Sequence, residues 1–462
     1  MSAQLEVHRL GPDGQVTEPA GGEPEIRVGR NGVPIVVRPN RAHGTGYRTY
    51  EVFQRQRVHE STEKLKPQHL ISPEFLRNPY PTLATLRENY PCYRDWIGNS
   101  FWVSGYDDTT SVFVDDANYE TRPKRWFYER EDWGRDLWEQ LPVLFAHERG
   151  IDRNATPVAE RIVADLKSKG RADLAIEFAA RYPLELLARV LDLPGEDFPT
   201  FVERYLRLMR GANWDPVARQ AGITAFGELA DYFRPLLAQR REQPGDDLIS
   251  AAAGLDLEDG PATAEDLVVT LLERDHETLH GGLANMWQLL LGHPDQLEHV
   301  KQERRMLKFA WLETLRHSTP VLTARRFAKH EVERFGRLLP EGALIVCAAA
   351  GANRDPRIYT DPDRFQITRK DLCQREPRGH YRADGLPAGM AVGLGKPTKH
   401  PAVPEDRPRS LYAITLSAAV AASNALLDGL PALQSDAHAE PAVLRALRVG
   451  EMHTCWRLPV TF

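Results

Sequence analysis

Residues 276–280 read HETLH, which puts His276 and His280 four apart on a segment whose apolar spacing is helical. Two histidines at that spacing face one side of a helix, and a glutamate between them can act as general base, as in zinc hydrolases. Zinc or another divalent metal on His276 and His280 is therefore one expected cofactor. Glu273 offers a carboxylate on the same segment, and Glu298 and His299 are the downstream candidates for completing the ligand set. Without a metal, Arg274, Asp275 and Glu277, with Thr278 beside them, can serve acid–base chemistry on a bound metabolite. The plainer expectation is that His276 and Glu277 line a cavity while His280 packs or bonds to backbone. Farther along, Glu313 and Arg316 in ETLRHSTPV stand one helical turn apart and can form a buried, hydrogen-bonded ion pair, which is a structural role.

The elements that must position these groups are mostly helical. The chain has 462 residues, 42% of them hydrophobic, enough to bury a large core. From about residue 73 to 290, apolar residues recur at three and four spacings, as in RIVADLKSKG, LAIEFAARYPLELLARVLDL and ITAFGELADYFRPLLAQRR. Two stretches read as β: SFWVSGYDD near residue 100, and 332–346, a hairpin followed by a buried strand. The expected class is mainly α with a minor β-sheet. Residues 1–45, rich in Gly, Pro and charge with one β-like run at 35–37, read as a flexible N-terminal arm, and 46–462 as a single domain.

The formal net charge of -6 gives no electrostatic reason for nucleic-acid or membrane binding. RPKRWFYEREDW, residues 122–133, alternates basic and aromatic residues; in an acidic chain it reads as a solvated helix with aromatic anchors, or as a partner-facing patch. The four cysteines are scattered without a C-x-x-C pair, which excludes a disulfide framework or cysteine zinc cluster and suits a reducing compartment. No secretion signal and no apolar run of spanning length is present, so the expected location is cytoplasmic.

The E-x-x-R pair is followed, in order and at compatible spacing, by RRFA at 325–328, a strand, and ANRDPRIYTDPDRF at 352–365. This run resembles the C-terminal half of the cytochrome P-450 superfamily, the haem-thiolate monooxygenases, and the resemblance extends over roughly residues 73–462. It implies the triangular helical fold of that family and a structural triad of Glu313, Arg316 and Arg364. It also implies that 271–300 is the long central helix, with Glu277 and Thr278 as its acid–alcohol pair lining the oxygen pocket.

Other positions depart from the family. The turn Val392, Gly393, Leu394, Gly395 resembles the start of the haem-ligand signature, but the signature then puts Lys399 at the cysteine. Counting back from Pro431 over the family's usual interval reaches Arg409, which is not a thiol either; Cys373 comes early in the loop, and Cys347 and Cys455 fall in expected strands. Arg274 and Asp275 stand where the family has small residues. His147 has Ile151, not arginine, four residues on, and of the propionate partners only Arg326 is clear. The expectation is thus a haem-free homologue without a cofactor, a pseudoenzyme with a degenerate haem-binding loop. It would be an auxiliary or activating partner of a biosynthetic enzyme of secondary metabolism, such as a glycosyltransferase, with a small-molecule ligand in the former haem cavity. The alternative is an enzyme on the same scaffold: a haem protein or monooxygenase with a non-cysteine ligand, His400, or a metal-dependent or acid–base enzyme using HETLH.

Overall fold

Helix α1, Leu141–Lys167, buries Val143, Ala146, Ile151, Ala155, Val158, Ile162 and Leu166, an apolar stripe with helical spacing that must be covered by other elements. Helix α8, Leu411–Gly429, covers it with Ile414, Leu426 and the alanines Ala418, Ala422 and Ala425, whose small side chains let the two backbones approach. Helix α2, Arg181–Val190, closes the group. Its Tyr182 hydroxyl reaches the carbonyls of Ala155 on α1 (3.0 Å) and Ala418 on α8 (3.1 Å), so one buried donor ties three helices.

This computed structural model describes residues 64–371, 408–409, 411–447 and 452–462 apart from 114 and 275, together with the backbone of short strands within 1–63 and 372–407. Two further helices, α3 (Phe198–Gly211) and α4 (Pro216–Glu242), pack as an antiparallel pair joined by a short loop. Helices α5 (Ala264–Leu272) and α6 (Glu277–Gly292) run through the centre. Nearly every residue of α6 is buried, as expected for a helix that is apolar all round. Gly282 is needed there, because a Cβ would strike the Trp311 ring of α7, Met306–His317.

The minor sheet has the order β1–β2–β5–β4–β3, with β1 Tyr93–Asp95, β2 Ser100–Val103, β3 Tyr119–Glu120, β4 Ala324–Ala328 and β5 Leu344–Cys347. Strands β2 and β5 are parallel and the other pairs antiparallel. Both expected β stretches are present, the second with a hairpin of Val332–Arg334 and Arg337–Leu339 turning through Phe335 and Gly336 at positive φ. In the expected arm, Pro34–Val37 is a strand paired with Glu25–Val28, while the boundary near residue 45 lies outside the described residues. Among the described residues no helix is long and apolar enough to cross a membrane.

Candidate functional site

The resemblance implies one long helix over 271–300, yet the central helix is interrupted between Leu272 and Glu277. The interruption is held from outside. The Glu273 carboxylate accepts the Lys124 N–H (2.8 Å) and the Arg125 N–H (3.2 Å), capping the short 3-10 segment Lys124–Tyr128. Lys124 Nζ in turn donates to the Arg274 carbonyl (3.1 Å), which satisfies an acceptor set free by the break.

Arg274 does not stand as an isolated charge in a pocket. Its guanidinium lies 3.8 Å from the Trp138 ring centroid, and its Nη2 is 3.4 Å from His147 Nδ1 on α1. Burial and the Arg274 charge hold the His147 pKa well below the ordinary value, so a neutral imidazole accepts from the arginine. Ile151, four residues after His147, is buried in α1, so the H-x-x-x-R arginine of the family has no counterpart at that position. Asp275 lies outside the described residues.

His276 and His280 are tied to different partners. His276 Nδ1 meets the Tyr205 hydroxyl of α3 at 3.1 Å, whereas the His280 ring sits edge-on to Trp456 at 5.8 Å. His280 is buried, its Nε2 makes no hydrogen bond, and desolvation pushes its pKa down to about 3. Among the described residues, no group of three or more His, Cys, Asp or Glu side chains gathers where it could hold a metal ion. Glu277 opens α6 and Thr278 is buried in its first turn.

The ion pair on α7 is fully formed: Arg316 Nε and Nη2 donate to Glu313 at 2.7 and 2.8 Å, and Arg316 Nη1 donates to the Pro362 carbonyl at 2.7 Å. The third arginine requires a correction. Arg369, not Arg364, sends its Nε to Glu313 (3.1 Å), buried and braced by Asp371 (2.8 Å). Arg364 has an exposed side chain and takes part only through its carbonyl, which accepts from Arg316 and Arg369 at 3.2 Å each. The chain turns back after Phe365, and the turn carries Arg369 inward; the ITRK that follows RF was the available signal.

Arg326 on β4 donates to Asp116 (2.7 Å), the Phe113 carbonyl (2.8 Å) and Thr121 Oγ1 (2.6 Å). The aromatic residues of 122–133 act as anchors, but in short 3-10 turns rather than a helix: Trp126 and Phe127 meet Trp214 edge-to-face, with centroids 5.4 and 5.2 Å away. Arg409, just ahead of α8, bonds Glu148 and, at 2.6 Å, Asp152, both on α1. Cys92, Cys347 and Cys455 are buried, in or beside strands, and none of the three is in a disulfide. Cys373, Lys399 and His400 lie outside the described residues.

A cytochrome P-450 family model matches residues 292–375. The monooxygenase PikC of Streptomyces venezuelae is 31% identical over 339 residues, covering 67% of this chain and 79% of that protein. The 6-deoxyerythronolide B hydroxylase of Saccharopolyspora erythraea is 28% identical over 365 residues, covering 71% and 86%. The structure of P450BioI in complex with an acyl carrier protein carrying hexadec-9Z-enoic acid superposes with a TM-score of 0.67 at 23% identity, over 85% of this chain and 100% of that one. The similarity to PikC shows that this chain belongs to the cytochrome P-450 family, and the fold and the α7 ion pair agree with it.

These relatives overturn the haem-free auxiliary reading. Proteins similar over most of their length are named as monooxygenases and hydroxylases, so haem is the expected cofactor and a pseudoenzyme is not. The reason for expecting a glycosyltransferase partner goes with it. The residues were misread because substitutions at family positions were counted as losses, although Arg274 and Arg409 each have a local partner. At one edge the described residues fit haem: Arg326 keeps a buried Nε with no partner, a donor still open to a carboxylate such as a propionate.

Proposed function

We propose that the chain is a haem-dependent oxygenase of secondary metabolism, cytoplasmic as its scattered cysteines suggest, acting on a small apolar molecule. We further propose that its iron ligand departs from the family's cysteine and is His400. The observation that carries the enzyme reading is the interruption of the central helix immediately before Glu277 and Thr278, stapled open by Glu273 and Lys124. A hydroxyl and a carboxylate in the first turn after such a break can hold and pass a proton at the Thr278 Oγ1. Haem, when bound, supplies the activation of oxygen. Arg326 would hold a propionate, and Trp138, stacked on Arg274, would keep that guanidinium turned toward α1 and out of the site.

The ligand assignment is supported by the aligned position, Lys399, and by Arg409, whose guanidinium is committed to Glu148 and Asp152. Spectra of the reduced protein with carbon monoxide test it. An imidazole-type shift in the wild type and in Cys373→Ala, lost in His400→Ala, is the expected result. A thiolate-type shift abolished by Cys373→Ala refutes the ligand assignment and leaves an ordinary haem-thiolate monooxygenase. Single-turnover assays of Thr278→Ala test the proton role, with product formation expected to fall about 10²-fold or more.

A further inference from the structure

Arg325 and Arg326 are neighbours on β4, so their side chains leave opposite faces of the sheet. Arg326 is engaged by Asp116, Phe113 and Thr121, whereas Arg325 meets no carboxylate or carbonyl among the described residues. Its one contact of note is with Phe127, whose ring centroid lies 5.1 Å from the guanidinium carbon. Surrounding protein desolvates Arg325 enough to lower its pKa, yet the residue stays partly accessible, so a solute can reach it.

Aromatic rings stand beside it. Trp126, Phe127 and Trp214 meet mutually edge-on, with centroids 5.1 to 5.4 Å apart, and Trp214, on the loop between α3 and α4, is 53% exposed. The second guanidinium of the cluster, Arg122, lies over Trp126 and Phe327 but already has Glu120 at 3.1 Å. A desolvated cation without a counter-ion is retained where a ligand supplies one. Aromatic faces beside it suit a flat apolar body.

We propose that Arg325 receives the carboxylate of a ring-bearing apolar acid whose body lies against Phe127, Trp126 and Trp214. This rests on the oxygenase reading only for the fate of the ligand; the binding itself needs no haem. The substrate class is then a free carboxylic acid, held by its charge at Arg325 with its apolar body against the aromatic rings.

The test uses the purified full chain, 4-phenylbutyrate and its neutral counterpart 4-phenylbutyramide, with binding read from quenching of tryptophan fluorescence. The acid is expected to bind at least tenfold more tightly than the amide to the wild type. Arg325→Met should erase that preference, Arg325→Lys should keep part of it, and Trp214→Ala should weaken both probes alike. Removing a desolvated cation that has no counter-ion among the described residues should also raise the melting temperature of Arg325→Met, which separates lost recognition from lost folding. Equal binding of acid and amide to the wild type, or an acid preference that survives in Arg325→Met, overturns the proposal. So does a fall in haem content of Arg325→Met without loss of the acid preference, since the carboxylate received would then be the porphyrin's. A preparation that binds no haem but keeps an Arg325-dependent acid preference supports this proposal while sinking the oxygenase reading.

Discussion

Arg364 and Arg369 are five residues apart, yet only Arg369 donates its side chain to Glu313. Removing one member of a buried charged network strands the others, at a cost of about 3–5 kcal/mol, while an exposed side chain away from such a network costs within about 0.5 kcal/mol. Urea unfolding should therefore show a large loss for Arg369→Leu and almost none for Arg364→Ala; equal losses would return the third place to Arg364. His280 gives a second prediction at this scale. Its folded pKa of about 3 lies below the ordinary 6.5, so above pH 6.5 both folded and unfolded chains hold it neutral. Between pH 6.5 and about 3 the unfolded chain takes up a proton that the folded one refuses, and stability falls by about 1.4 kcal/mol per pH unit from this group. In His280→Phe the decline between pH 6.5 and 5 should be shallower by about that amount per unit. An unchanged slope would mean that His280 is solvated.

The break between α5 and α6 is an element made by its surroundings. Glu273 caps a 3-10 turn 149 residues earlier in the chain, and Glu273→Ala should cost about 1–2 kcal/mol, with faster amide exchange confined to 123–128 and 273–276. Exchange unchanged there would show that the cap does not hold the break. The sequence made the helices legible wherever one face carries the pattern, as in α1, and the sheet wherever β-branched residues run together, as in Leu344–Cys347. The break was missed because the resemblance implied one continuous helix, although the polar run 273–278 was a signal, and the bonds at the break come from Lys124 and Arg125 in a distant segment. The aromatic anchors at Trp126 and Phe127 could be read from residues 122–133, but their mates Trp214 and Phe327 arrive from distant segments. Arg369 escaped because the resemblance carried the third place to the arginine of the RF pair, Arg364.

At the scale of the whole molecule, the four-helix packing of α1, α2, α6 and α8, the α7 ion network and the five-stranded sheet form one scaffold shared with the named monooxygenases. Within it, Arg274 on Trp138 and His147, and Arg409 on Glu148 and Asp152, are substitutions with local partners rather than vacancies left by a departed cofactor. The account therefore predicts that the full chain, purified from haem-supplied cells, carries one equivalent of porphyrin and of iron, read together from its Soret absorption and by elemental analysis. Full-length, folded protein that takes up neither would contradict it.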